Sequence, residues 1–214
     1  MNVLALDGAL GAFSAAVARD DRIAASSFEG GNVALERGLA LVQEVLGRAN
    51  LPPQQIDRLA VGIGPGSFTG LRIAVAYAKA LAAVWERPLV AIQSFDLLEF
   101  GGDFERVLTV VVGRPGVISA RYRCGSQSRR ASSRVSDVLD AVLERGGRLT
   151  VVGAPKDVLH ALAERAITVH SVEPAVTPAA AAAALAASSR APSRSLHEVR
   201  ADYGELPAAK IPRF

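Results

Sequence analysis

The chain has a single cysteine, Cys124, among 214 residues. That excludes an internal disulfide and a cysteine-built zinc cluster, and it leads us to expect a reducing, cytoplasmic setting. The histidines are as sparse: His160, His170 and His197 stand too far apart for H-E-x-x-H or a close ligand pair, so no metal site is expected. No G-x-S-x-G occurs, which removes the hydrolase nucleophile elbow. Excess charge is also scarce. With 24 Lys and Arg against 21 Asp and Glu, the net charge of +3 permits nucleic-acid contact without arguing for it. The longest apolar tract, 179–187, is nearly all alanine and far short of the roughly 20 apolar residues that span a bilayer. The opening MNVLALDGAL lacks the basic start and cleavage site of a signal peptide, and Asp7 interrupts its apolar run. No membrane association is expected.

What is present is apolar: hydrophobic residues make up 50% of the chain, enough to build a core. Short apolar runs punctuated by Asp, Gly and Pro predict strands at 3–6, 13–19, 22–28, 58–63 and 89–92. Helical spacing predicts helices at 32–50 and 68–85. In the first, Leu35, Leu39, Val42, Leu46 and Ala49 form one stripe, Leu41 and Val45 lie off it, and Asn32 is the expected N-cap. The second half predicts strands at 107–112, 117–123, 127–133 and 149–152, with helices at 135–145 and 156–165. Both halves thus read βββαβα, an α/β chain of two lobes split at EFGGDFER. We place the first lobe at 1–102 and a smaller second lobe at 103–214, the latter carrying an alanine-rich helix capped by Thr177 and an extended tail.

The segment 62–74, GIGPGSFTGLRIA, raises a chemical question. A glycine turn running into a helix can hold an anion on unpaired amides. Yet no Lys follows as in a P-loop, and Pro65 and Phe68 disrupt a dinucleotide pattern. We therefore read Gly64, Pro65, Gly66 and Gly70 as a tight turn, with Ser67 or Thr69 capping the helix. That helix is apolar on two sides: Leu71, Val75, Ala78 and Ala82 on one, Ile73, Tyr77, Leu81 and Val84 on the other. A helix apolar on two sides needs two neighbours, and the surplus faces of both helices predict an interface.

The runs VLALDGALGAFSAAVARDDRI, LALVQEVL, LAVGIGPGSFTGLRIAVAYAKALA and RADYGELP resemble the TsaB (YeaZ) family. The likeness is strong over 2–93 and faint beyond it, except around Tyr203. The resemblance implies an actin-like, Hsp70-type (ASKHA) fold and a non-catalytic subunit without a cofactor. It implies binding to a TsaD-like enzyme that threonylcarbamoylates adenosine in tRNA, together with a TsaE-like ATPase. It also implies homodimers in isolation, and tRNA contact only within the complex. The implied partner surface is the first two helices, and on them we single out Leu35, Leu39, Val42, Leu46, Phe68, Leu71, Arg72, Val75, Ala78 and Ala82. The chain departs from the family where Gly8 and Ala9 replace hydroxyl residues after Asp7, where a histidine is replaced near Ala34, and where Val112 and Gly113 precede Arg114.

Two rival readings remain to be set against this one. As a small ATP-dependent phosphotransferase, the chain would use Asp7 to position a metal-bound water, with 62–70 near the nucleotide; VVGRPG, however, offers no second-lobe carboxylate. Asp7 would then be at most a vestige of a nucleotide site. As a direct tRNA binder, it would use Arg121, Arg123, Arg129, Arg130 and Arg134 around Tyr122.

Overall fold

The computed structural model describes residues 1–20, 22–30, 34–143, 147–188 and 195–204, and side chains at 34–36 are outside the description. The first lobe runs β1 (Asn2–Asp7), β2 (Phe13–Arg19), β3 (Arg22–Glu29), α1 (Ala34–Arg48), β4 (Arg58–Gly62), α2 (Phe68–Trp85) and β5 (Leu89–Ile92). A short α3 (Ser94–Leu98) leads to the second lobe: β6 (Arg106–Val112), β7 (Ile118–Cys124), β8 (Gln127–Ser133), α4 (Val135–Val142), β9 (Arg148–Val152), α5 (Lys156–Glu164) and β10 (Thr168–Val172). The chain then forms α6 (Pro178–Ser188).

The sheets are ordered β3-β2-β1-β4-β5 and β10-β9-β6-β7-β8. Each lobe therefore follows one path: an antiparallel meander of three strands, then two parallel strands added on the other side of the first. The expected order is present in both lobes. The sequence reading missed α3, too short to show a period, and β10, whose TVHSV is mostly exposed and only partly apolar.

Alternation along β1 sends Leu4 and Leu6 to the layer holding α1 and α2, and Val3 and Ala5 to the opposite face. On that opposite face Ala5, Ala16, Ala18 and Ala60 meet Ala179, Ala180, Ala181, Ala182, Ala183 and Ala186 of α6. Small side chains on both surfaces let helix and sheet approach closely while keeping interior density.

This corrects the domain assignment. The alanine-rich helix, placed by the sequence in the second lobe, packs on β1, β2 and β4 of the first. Leu196 and Val199 of the tail likewise join the first lobe's core. An alanine helix carries no stripe that tells which sheet it will cover, whereas the alanine-lined face of the first sheet requires a close-fitting cover. Thr177 caps α6 as expected, its Oγ1 accepting from the Ala180 amide at 3.3 Å, and buried Ser14 Oγ accepts from the Ala179 amide at 3.2 Å. The Asn32 cap lies outside the described residues.

The inner face of α1 is Leu41, Val42, Val45 and Leu46, all buried, as is Ala49 just past its end, while Leu39 is 47% exposed. Leu41 and Val45, read as surplus to the main stripe, are core residues. Among the described residues α2 alone is long and apolar enough to cross a membrane, by length and composition; Arg72 and Lys79 interrupt it and one side lies against the sheet.

Candidate functional site

The loop between β4 and α2 spends its backbone on the chain itself. The Ile63 amide donates to Ile92 O at 2.9 Å, Ser94 N–H donates to Gly64 O at 2.8 Å, and Ser67 N–H donates to Ala9 O at 2.8 Å. Ser67, not Thr69, is the cap, with its Oγ accepting from the Gly70 amide at 3.3 Å. Gly64 has φ of +101°, and a Cβ there would strike Asp202 O, so glycine is required on both conformational and steric grounds. The segment is a packed turn into α2.

Asp7, at the end of β1, is fully buried. Its Oδ2 accepts from the Ala9 and Leu10 amides at 3.1 and 3.3 Å, while Oδ1 has no hydrogen-bond partner and lies against Gly62. Burial disfavours the charged form and pushes its pKa up to about 7, the two amides opposing that shift. The carboxylate is thus enclosed by the first lobe, with one oxygen held by the turn after β1.

Between the lobes lies a cavity of about 430 Å³, bordered by Ala9, Leu10 and Gly11 of the first lobe and by Val110, Val111, Val112, Gly113 and Glu173 of the second. Among the described residues no Lys or Arg lines it, and the charged one that does is an acid, Glu173. Triphosphate binding calls for cations or a metal opposite the phosphates. No cluster of potential metal ligands occurs among the described residues.

The outer face of α1 and α2 is different. Leu39, Phe68 and Val84 are 47%, 52% and 79% exposed, and Ala76, Ala80 and Ala83 are exposed beside them. Ile73, Tyr77 and Leu81 are half-buried. Of the interface residues named from sequence, Leu39, Phe68 and Arg72 are on this surface. Val42, Leu46, Leu71, Val75, Ala78 and Ala82 are not; they are buried in the first lobe's own core. The most continuous apolar stripe of each helix faces its own sheet, where the larger area is buried, and the surplus apolar residues are left outward. The side chain of Leu35 is outside the described residues.

At the N-terminal end of α2 the tail returns. The Phe68 and Tyr203 rings stand 4.9 Å apart at 38°, the Arg72 guanidinium lies 3.8 Å from the Phe68 ring centre, and Arg72 Nε donates to Tyr203 Oη at 3.2 Å. Asp202 N–H donates to Ile63 O at 2.6 Å, anchoring this segment on the glycine loop. Tyr203 was legible only through RADYGELP; nothing in its spacing joined it to α2.

The arginine cluster divides in two. Arg121 is buried, its guanidinium 2.6 Å from Asp96 and 3.0 Å from Glu99, and Arg123 pairs with the other oxygen of Glu99 at 2.9 Å. Thr109 Oγ1 also donates to Glu99. These two arginines join the second sheet to α3 and its C-cap Glu99; they do not offer charge to RNA phosphates. Glu99 sits in the segment read as a domain boundary, which hid it from the sequence reading. Arg129, Arg130 and Arg134 are exposed.

A family model described as TsaD: tRNA N6-adenosine threonylcarbamoyltransferase matches residues 35–196. The chain is 32% identical over 122 residues to the tRNA threonylcarbamoyladenosine biosynthesis protein TsaB of Escherichia coli (strain K12), covering 55% of this chain and 53% of that protein. It is 32% identical over 104 residues to the TsaB of Bacillus subtilis (strain 168), covering 48% and 45%. The chain thus spans about half the length of the curated relatives it matches. The solved structure of YeaZ from Pseudomonas aeruginosa superposes with a TM-score of 0.72 at 23% identity, over 94% of this chain and 99% of that one. With the duplicated strand order, this makes the fold the actin-like one.

Proposed function

The chain belongs to the TsaD family of tRNA threonylcarbamoyladenosine proteins and is TsaB-like (YeaZ-like) within it; from that premise we propose that it is a non-catalytic scaffold subunit of a tRNA threonylcarbamoyl transferase. In this reading it docks a TsaD-like enzyme on the outward face of α1 and α2. The complex, which a TsaE-like ATPase joins, modifies adenosine 37 of ANN-decoding tRNAs. Two copies of the chain pair through the same face when the partner is missing, and tRNA is met only in the assembled complex. The chemistry belongs to the partner.

One observation carries the reading: the fold leaves Leu39, Phe68 and Val84 exposed beside three exposed alanines of α2. Water contact with large apolar side chains on adjacent helices is unfavourable, and a complementary helix pair removes it. The cleft supports the non-catalytic part, since Asp7 is sealed and no Lys or Arg among the described residues lines the cavity. Co-purification tests the proposal. A tagged copy expressed in its native cell is expected to bring down the TsaD-type protein in a stoichiometric complex. Recovery of the tagged chain without it, or ATP hydrolysis by the isolated chain, would overturn the reading.

A further inference from the structure

Apolar faces of alanine and valine discriminate poorly between partners, and selectivity comes from a fixed polar group that a wrong partner leaves unpaired. Such a group stands at the N-terminal end of α2. Arg72 is exposed, one face of its guanidinium is covered by the Phe68 ring with the centroid at 3.8 Å, and its Nε is committed to Tyr203 Oη at 3.2 Å. Phe68 and Tyr203 also pack on one another. Tyr203 is not a loose neighbour. Asp202 N–H holds the segment to Ile63 O, Gly204 N–H donates to Asp202 Oδ1 at 2.9 Å, and Gly204 sits against Ser119 and Ser132 of the second lobe. No carboxylate pairs with Arg72 among the described residues.

A guanidinium held in this way has already lost much of its rotamer freedom, so pairing its outer edge with an anion costs less order than it would for a free arginine. Arginine and tyrosine are also the side chains that most often dominate binding energy at an interface centre. Arg72 borders the apolar face and is continuous with it through Phe68. We infer that Arg72, clamped by Phe68 and Tyr203, is the specificity anchor of the docking face and takes a carboxylate from the enzyme partner; this rests on the docking reading above. The tail segment 200–204 is then part of the interface although it belongs to neither helix.

The test is the affinity of the full chain for the purified TsaD-type protein of the same genome, measured at low and high salt. Arg72→Glu is expected to weaken binding at least about a hundredfold by setting like charges against each other. Arg72→Lys is expected to lose about tenfold, because an ammonium cannot make the forked contact. Tyr203→Phe keeps the ring but removes the acceptor and is expected to weaken binding about three- to tenfold. In Arg72→Ala the salt dependence of affinity is expected to flatten, which a merely structural role would not produce. Thermal melting within about 2 °C of wild type confirms that each variant is folded. Wild-type affinity in Arg72→Glu, with binding lost in Val84→Arg, would overturn the anchor while sparing the docking face. An effect of Arg72→Glu on self-association alone would also overturn it. A wild-type chain that binds no TsaD-type protein would overturn both.

Discussion

A Cβ placed on Gly8 would collide with the carbonyl oxygen of Gly70, and one placed on Gly70 would collide with the carbonyl oxygen of Gly8. The turn after β1 and the first turn of α2 therefore touch backbone to backbone, which is how the glycine loop sets the position of α2. Gly70→Ala is expected to cost about 2–4 kcal/mol, since neither backbone can yield without moving a whole element. Gly47→Ala, where a Cβ meets nothing within 4 Å on α1, is expected to stabilise by about 0.5–1 kcal/mol. Urea denaturation of the pair checks both signs, and equal effects would refute the contact.

Asp7 predicts a pH dependence of stability. Its folded pKa of about 7 lies above the ordinary 3.8, so the folded state holds the proton more tightly than the unfolded chain. The stabilisation is complete below about pH 4 and is lost as the pH rises to about 7, amounting to an order of 4 kcal/mol. Asp7→Asn carries no charge and keeps an acceptor for the Ala9 and Leu10 amides. We expect it to flatten this slope and to be more stable than wild type at pH 8. Parallel stability profiles for the two proteins between pH 4 and 8 would contradict the account.

Glu99 joins the lobes through Arg121, Arg123 and Thr109. Glu99→Ala leaves the Arg121 guanidinium buried with only Asp96 beside it, and is expected to cost about 3–5 kcal/mol. The double variant Glu99→Leu with Arg121→Met is expected to recover most of that loss, because the charges left without these partners, Arg123 and Asp96, have side chains 35% and 45% exposed and reach water. Chemical denaturation decides; a double variant no more stable than Glu99→Ala would show that the ion pair is not the source.

Surface and core positions on α1 and α2 are expected to respond differently. Val75 is buried, so Val75→Asp should destabilise the fold by about 3 kcal/mol or more and says nothing of docking. Leu39→Asp lies on the exposed side and should change stability by less than about 1 kcal/mol while abolishing partner binding. Melting curves alongside co-purification separate the two; loss of folding in Leu39→Asp would mean that its face is not free.

The lobes were legible in the sequence because their strands alternate or run apolar over several residues, as in NVLALD, and because α2 opens with a capped glycine turn. The element order followed from that. The outward face of α1 and α2 was only half legible. Two apolar stripes on α2 showed that two neighbours were needed, but not which stripe faced the sheet, and Leu71, Val75, Ala78 and Ala82 were assigned outward when burial favours them inward. The place of α6 was hidden because alanine has no polar face to orient it. Contacts between distant segments, Tyr203 with Arg72 and Glu99 with Arg121, leave no trace in local spacing.

The most direct test is the threonylcarbamoyladenosine content of tRNA in cells depleted of this chain, complemented with wild type, Val84→Arg or Asp7→Asn. The account predicts that depletion removes the modified nucleoside. It further predicts that wild type and Asp7→Asn restore it, and that Val84→Arg, though folded, does not. Restoration by Val84→Arg, or unchanged modification on depletion, would contradict it.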